Sequence, residues 1–275
     1  MTTQTFTDIS AKRNNVLTLL QELWDYRSLL LKMTWRTLKI RYKQTAIGLV
    51  WAVAQPFLMM LVYTVVFSFI LNRGTSDVPY PLFVFTNLAV FAIFSDGLTS
   101  TVVSVVQGSA LYQKIYFPRI IVPISAGLTT LFDHLLALTV VFIMLLGYGF
   151  PLRWQMLLLP VISLLPLTMA MGLGLALGAI NVRFRDIQNL LPIVTRILFF
   201  LTPIVYPITI AEEPLRSVLK LNPLYAYVQG FGWSMLGQPS PEVGYIAYSV
   251  GITLIFLLAG LWVFARTEWQ FAEIV

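Results

Sequence analysis

Six apolar stretches decide what this chain can fold into: 47–71, 82–106, 120–148, 156–180, 187–207 and 244–265 run with hardly a charge. A helix needs ~20 such residues to cross the hydrocarbon core of a bilayer. Hydrophobic residues make up 58% of the chain and charged residues 11%, and the mean hydropathy is +0.80. A soluble domain carries about a quarter charged residues, so one core could not hide this much apolar surface. In lipid, only helices and closed barrels satisfy their own backbone hydrogen bonds. Barrel strands are ~10-residue segments that alternate apolar and polar, whereas these runs are continuous and longer. The chain is therefore read as an all-α membrane protein with six transmembrane helices.

The basic residues give the orientation, because Lys and Arg accumulate on the cytoplasmic side. Eight precede the first span, Lys114 and Arg119 lie between the second and third, Arg183 and Arg185 between the fourth and fifth, and Arg266 follows the sixth. The opposite side holds Arg73, Arg153, Arg216 and Lys220. This excess places both termini in the cytoplasm. The pI of 9.6 then reflects orientation and contact with anionic lipid, and is not a sign of nucleic-acid binding. The opening MTTQTFTDIS has neither the basic nor the apolar region of a cleaved signal peptide, so the spans themselves are expected to drive insertion. Three parts result: a cytoplasmic segment 1–46, a six-span domain 47–265 and a cytoplasmic tail 266–275.

Within the first part, Leu31, Trp35, Leu38 and Tyr42 recur at helical spacing, and Lys32, Arg36, Lys39 and Lys43 follow one position later. The pattern predicts an amphipathic interfacial helix with its cations near lipid head groups. Such a helix serves as a juxtamembrane anchor or also meets a cytoplasmic partner. The outer segment 208–243 combines Pro214, Pro223, Pro239 and Pro241 with Tyr225, Tyr227, Phe231 and Trp233. These aromatic types favour the membrane interface, which predicts one or two short re-entrant helices between spans five and six.

Several chemistries are absent from the sequence. There is no cysteine and only one histidine, His134, which leaves no thiolate or imidazole-rich metal site. No G-x-x-x-x-G-K-[ST] loop cradles nucleotide phosphates, and no H-E-x-x-H or G-x-S-x-G is present. Asp133 adjoins His134, and neighbours on a helix do not face each other, so His134 is read as packed or hydrogen-bonded between spans.

Charges inside spans are costly and are paired or functional. Asp96, Asp133 and Arg196 are three such charges, and a buried pair of Arg196 with Asp96 or Asp133 is expected. The fourth span carries Ala170, Gly174 and Gly178 on one stripe and Gly172 with Ala176 on another, which suits close helix packing inside the chain or a dimer seam. Prolines are expected to break the first span at Pro56 and the fifth at Pro192, Pro203 and Pro207. Together with Tyr63, Phe67, Phe91, Phe94, Phe199, Phe200 and Tyr206, these breaks point to a path lined by aromatic faces.

The run 107–123, QGSALYQKIYFPRIIVP, resembles the cytoplasmic loop of ABC-2-type polysaccharide exporter permeases. The runs LKIRYKQTAIGLVWAVAQP at 38–56, NVRFRDIQ at 181–188, PIVYP at 203–207 with Leu221-Asn222-Pro223, and the C-terminal RTEWQFAEIV are similar to further parts of the same pattern. The resemblance covers nearly all of the chain from about residue 30.

That resemblance implies a half-transporter. Two copies would pair as a homodimer around a channel, each engaging one copy of a separate ATPase subunit. The chain itself would hold no cofactor and catalyse nothing, with ATP and Mg bound by the partner subunit. The cargo would be a lipid-linked polysaccharide (O-antigen, capsule or teichoic acid, the first favoured) leaving across the bacterial inner membrane. A short helix over 109–117 would be the coupling helix, with Ser109, Leu111, Tyr112, Lys114, Tyr116 and Phe117 docking on the ATPase. Arg183, Arg185 and Asp186 would add a second contact, and the first and fifth spans would line the channel. Arg196 has no assigned counterpart in the family pattern. The alternatives are an ABC-2 exporter of another lipid or small molecule, a secondary transporter, and an intramembrane enzyme.

Overall fold

Helix forms wherever the apolar runs leave the backbone nothing else to bond. The computed structural model describes residues 15–43, 50–70, 78–108, 117–268 and 271, and among them there is no strand. Two helices precede the first membrane-crossing stretch, α1 (Val16–Asp25) and α2 (Arg27–Lys43). Helix α3 (Val50–Tyr63) continues as a π-helical stretch, Thr64–Ile70. Then follow α4 (Tyr80–Gln107), α5 (Ile121–Gly147), α6 (Leu159–Arg183) and α7 (Ile187–Leu201). The short α8 (Leu215–Lys220) and α9 (Pro223–Phe231) precede α10 (Val243–Thr267).

Among the described residues, five helical stretches are long and apolar enough to cross a membrane: Val50–Ser68, Tyr80–Gln107, Ile121–Gly147, Trp154–Arg183 and Val243–Thr267. The fifth expected crossing, 187–207, is helical only over the 15 residues of α7. At 1.5 Å per residue that is about 22 Å, short of the ~30 Å core. The helix stops at Thr202, which is extended at φ −107° and ψ 131°, because the residue before a proline is pushed out of the helical region. The expected breaks at Pro56 and Pro192 are not found: α3 and α7 run through them. Each proline removes a single backbone donor, a loss that membrane helices tolerate.

Helix α4 sits at the centre, with α5 and α6 packed on either side and α10 beyond α6. Leu82, Val84, Phe85, Val90 and Val102 of α4 are fully buried. In lipid such burial stabilises through packing rather than through release of water. Close approach comes from the glycines of α6. A Cβ on Gly260 would lie 1.9 Å from the carbonyl oxygen of Gly172, where α10 crosses α6. Gly174 and Gly178 instead abut Thr101 and Val105 of α4. Both small-residue stripes therefore serve packing within the chain.

The N-terminal helices do more than anchor. Leu19 of α1 is fully buried among Val105, Leu261, Phe264 and Phe271. Helix α2 lies along α5 and turns Leu38 inward, while Leu31 and Trp35 stay exposed at 65% and 58%. The expected apolar face is thus divided, one side packed on protein and the other facing outward. At the other end of the chain, α9 is almost wholly buried against α4, α6 and α10. Its Tyr227 hydroxyl donates to the Ser249 carbonyl at 2.9 Å and contacts Thr253 Oγ1 at 2.6 Å.

Candidate functional site

A cavity of about 870 Å³ opens between α3 and α7 on one side and α4 and α5 on the other, with the end of α2 closing one edge. Its lining is of two kinds. Tyr63 of α3, Phe91 of α4, and Phe199 and Phe200 of α7 form an aromatic cluster. Tyr63 stacks on Phe199 at 5.6 Å between ring centroids, and Phe91 meets Phe199 edge-on at 5.4 Å. The rest is polar, with Gln55 of α3, Asp96 and Thr99 of α4, Thr130 and Asp133 of α5 and Arg196 of α7, joined by Arg41 and Tyr42 of α2. Of the other expected lining aromatics, Phe67 stacks on Tyr80 instead, at 6.3 Å. Phe94 is buried in the core, and Tyr206 donates its hydroxyl to the Phe200 carbonyl at 2.7 Å.

The pairing of charges differs from expectation. Asp133 is held by Arg41, with Nη1 2.5 Å from Oδ2, and its other oxygen accepts from the Tyr42 hydroxyl. Among the described residues neither Arg196 nor Asp96 forms an ion pair. Asp96 accepts one long hydrogen bond from Ser95, at 3.4 Å. The reason is topological. A search confined to span charges overlooks that α2 folds back on α5 and brings Arg41 to the cavity. A carboxylate in a span gains most from a guanidinium that can also reach water.

His134 is structural, as expected from the sequence. Its Nδ1 lies 3.1 Å from the Ala89 carbonyl oxygen of α4 and its Nε2 lies 2.9 Å from Ser163 Oγ of α6. Asp133 turns to Arg41 instead, so no Ser-His-Asp relay exists. The imidazole ties three helices together beside the cavity.

Four side chains cap the carbonyls freed beyond α7. Tyr80 donates to the Val205 carbonyl at 2.6 Å and Asn87 to the Ile204 carbonyl at 3.1 Å. Asn222 donates to the Leu201 carbonyl at 3.2 Å and to Thr202 Oγ1 at 2.8 Å, while Tyr206 serves Phe200. Non-helical backbone at membrane depth needs such partners. Tyr80 and Asn87 were missed in the sequence reading, although an asparagine inside an apolar run is itself the signal.

Of the residues expected to dock on the ATPase, Ser109, Leu111, Tyr112, Lys114 and Tyr116 lie outside the described residues. Phe117 does not present an exposed ring: it is 9% exposed and packs with Ile121, Val122, Leu23, Leu29, Leu30 and Met33. The N-terminal helices supply the apolar surface that takes it. Arg183, Phe184, Arg185 and Asp186 form an exposed turn between α6 and α7, with the Arg183 guanidinium 5.5 Å from the Phe184 ring centroid.

Residues 28–236 match the family signature of the ABC-2 type transporter. The chain belongs to that family. It is 30% identical over 260 residues to the O-antigen export system permease protein RfbA of Myxococcus xanthus, an alignment covering 94% of this chain and 99% of that one. It is 27% identical over 252 residues to RfbA of Klebsiella pneumoniae, covering 90% and 95%. The polysialic acid transport protein KpsM of Escherichia coli is 25% identical over 245 residues, covering 85% and 91%. As an ABC-2 chain with several apolar crossing helices, it is a multi-pass membrane protein.

Proposed function

We propose that this chain is the membrane half of an exporter that carries a lipid-linked polysaccharide of the O-antigen class from the cytoplasmic to the outer side of the bacterial inner membrane. Two copies work together with two copies of a separate ATPase, which binds ATP and Mg. The chain supplies the path and no catalytic group. The observation that carries this reading is the cavity, whose lining combines a cluster of aromatic rings with hydroxyl, amide and charged groups. Aromatic faces receive the C–H faces of sugar rings, and polar groups exchange hydrogen bonds with sugar hydroxyls. The names of the relatives support the same cargo class.

Both termini lie in the cytoplasm, in keeping with the distribution of Lys and Arg. In this arrangement α7 and the buried α9 form the fifth, broken crossing and its re-entrant return. Ser109, Leu111, Tyr112, Lys114 and Tyr116, with the exposed turn at Arg183, Arg185 and Asp186, meet the ATPase, while the buried Phe117 does not. The outward faces of α3 and α7, where Leu58 and Ile193 are 54% and 57% exposed, are available to the second copy.

Purification of the tagged chain from its native cells in mild detergent tests the reading. A P-loop ATPase should copurify, and Tyr112→Asp or Arg183→Glu with Arg185→Glu should release it. A stable chain that elutes alone, with no ATPase activity, contradicts the exporter.

A further inference from the structure

Two cavity charges stand outside the Arg41–Asp133 pair. Arg196 and Asp96 both line the cavity, both are exposed, and among the described residues neither has an ion-pair partner within 4.0 Å. Charges this deep in apolar helices are costly without a direct partner. Here the two signs sit on different helices, α7 and α4, and do not meet. Each keeps its bonding capacity for something that enters between them.

The chemistry of each group defines that ligand. A guanidinium offers a planar fork of donors that fits a phosphate or a carboxylate. A carboxylate with one long bond to Ser95 has lone pairs left for hydroxyl donors. Phe200 lines the same cavity and is 55% exposed, with its ring edge-on to the buried Phe199. A molecule that satisfies all three carries an oxyanion, several hydroxyls and an apolar ring face.

We propose that Arg196 and Asp96 form a two-point subsite for an acidic saccharide unit, in which Arg196 takes the oxyanion, Asp96 takes sugar hydroxyls and the sugar ring lies against Phe200. The proposal rests on the exporter reading, since the unit belongs to the exported lipid-linked polymer. The oxyanion has two sources, the phosphate that ties the first sugar to its lipid or a carboxylate within the polymer. Arg41 does not substitute for Arg196, because Asp133 already engages it.

The test uses the full-length chain in nanodiscs of phosphatidylcholine, with three probes: a prenyl-diphosphate-linked monosaccharide, an oligoglucuronate and a neutral oligoglucose of equal length. At least one anionic probe should bind about tenfold or more tightly than the neutral one, and which one identifies the source. Arg196→Gln should abolish that preference, and Arg196→Lys should keep part of it. Asp96→Asn should weaken the anionic and neutral probes together. Melting temperatures of the variants separate a lost site from a lost fold. Equal binding of anionic and neutral probes by the wild type, or an unchanged preference in Arg196→Gln, overturns the subsite. Deletion of the chain from its native cells tests the exporter reading separately. Unchanged surface polysaccharide there refutes the exporter while leaving any Arg196-dependent binding in place.

Discussion

Arg41 Nη1 stands 2.5 Å from Asp133 Oδ2, a contact that joins helix α2 to the middle of α5 across 92 residues of sequence. It fixes where α2 ends and therefore how one edge of the cavity is closed. The two side chains are 37% and 21% exposed, so solvent screens part of their attraction. A double-mutant cycle of Arg41→Gln and Asp133→Asn should give a coupling of about 1 kcal/mol in thermal unfolding of the detergent-solubilised protein. The matching cycle of Arg196→Gln with Asp133→Asn should be additive. Coupling in the second cycle and none in the first would reverse the assignment.

Gly260 faces Gly172 where α10 crosses α6, with no room for a Cβ. Gly260→Ala should destabilise the fold by about 1–3 kcal/mol, as overpacking does, and lower the melting temperature. Gly251, whose Cβ would meet nothing within 4 Å, should accept alanine without such a loss. Equal melting temperatures for the two variants would show that the crossing is not this tight.

The carbonyls of Ile204 and Val205 depend on Asn87 and Tyr80. Asn87→Leu leaves a buried acceptor unpaired, a loss of about 1–3 kcal/mol. Hydrogen exchange over 201–206 should rise in Asn87→Leu and less in Tyr80→Phe, while exchange at the C-terminal end of α4 stays unchanged. Uniform exchange along the whole chain would instead report general unfolding.

Burial on α1 pushes the Glu22 carboxyl above the usual carboxylate range, and its Oε2 has no hydrogen-bond partner. A raised pKa in the folded state means that the fold binds the proton more tightly than the unfolded chain. Stability from this group is then present at low pH and falls as pH rises through the interval between the two pKa values. Glu22→Gln should therefore protect α1 from hydrogen exchange at neutral pH relative to wild type. The difference should shrink as pH falls towards the carboxylate range. A difference that grows on acidification would contradict the burial account.

Much of the architecture was legible because lipid allows few solutions. The runs that became α4, α5, α6 and α10 were found within a few residues of their ends, apolar continuity being enough to specify a crossing helix. The break beyond α7 was readable only in part: Pro203 marked its place, but Tyr80 and Asn87, which stabilise it, act from more than a hundred residues away. Pro56 and Pro192 misled, since a missing donor does not by itself end a helix. At the site, the aromatic cluster was recognised through Tyr63, Phe91, Phe199 and Phe200. Phe67, Phe94 and Tyr206 share the residue type but point elsewhere, a difference set by packing. The Arg41–Asp133 pair was hidden because its two halves belong to segments that the sequence assigns to different environments.

Transport by the purified complex in proteoliposomes tests the central claim most directly. The chain and its copurified ATPase would be supplied with a lipid-linked polysaccharide on the ATPase side, and a membrane-impermeant glycosidase would report arrival on the other. The account predicts that the polymer becomes cleavable only when ATP is hydrolysed, and that a non-hydrolysable analogue prevents it. Transfer that proceeds equally well without ATP would contradict it and point to a secondary transporter.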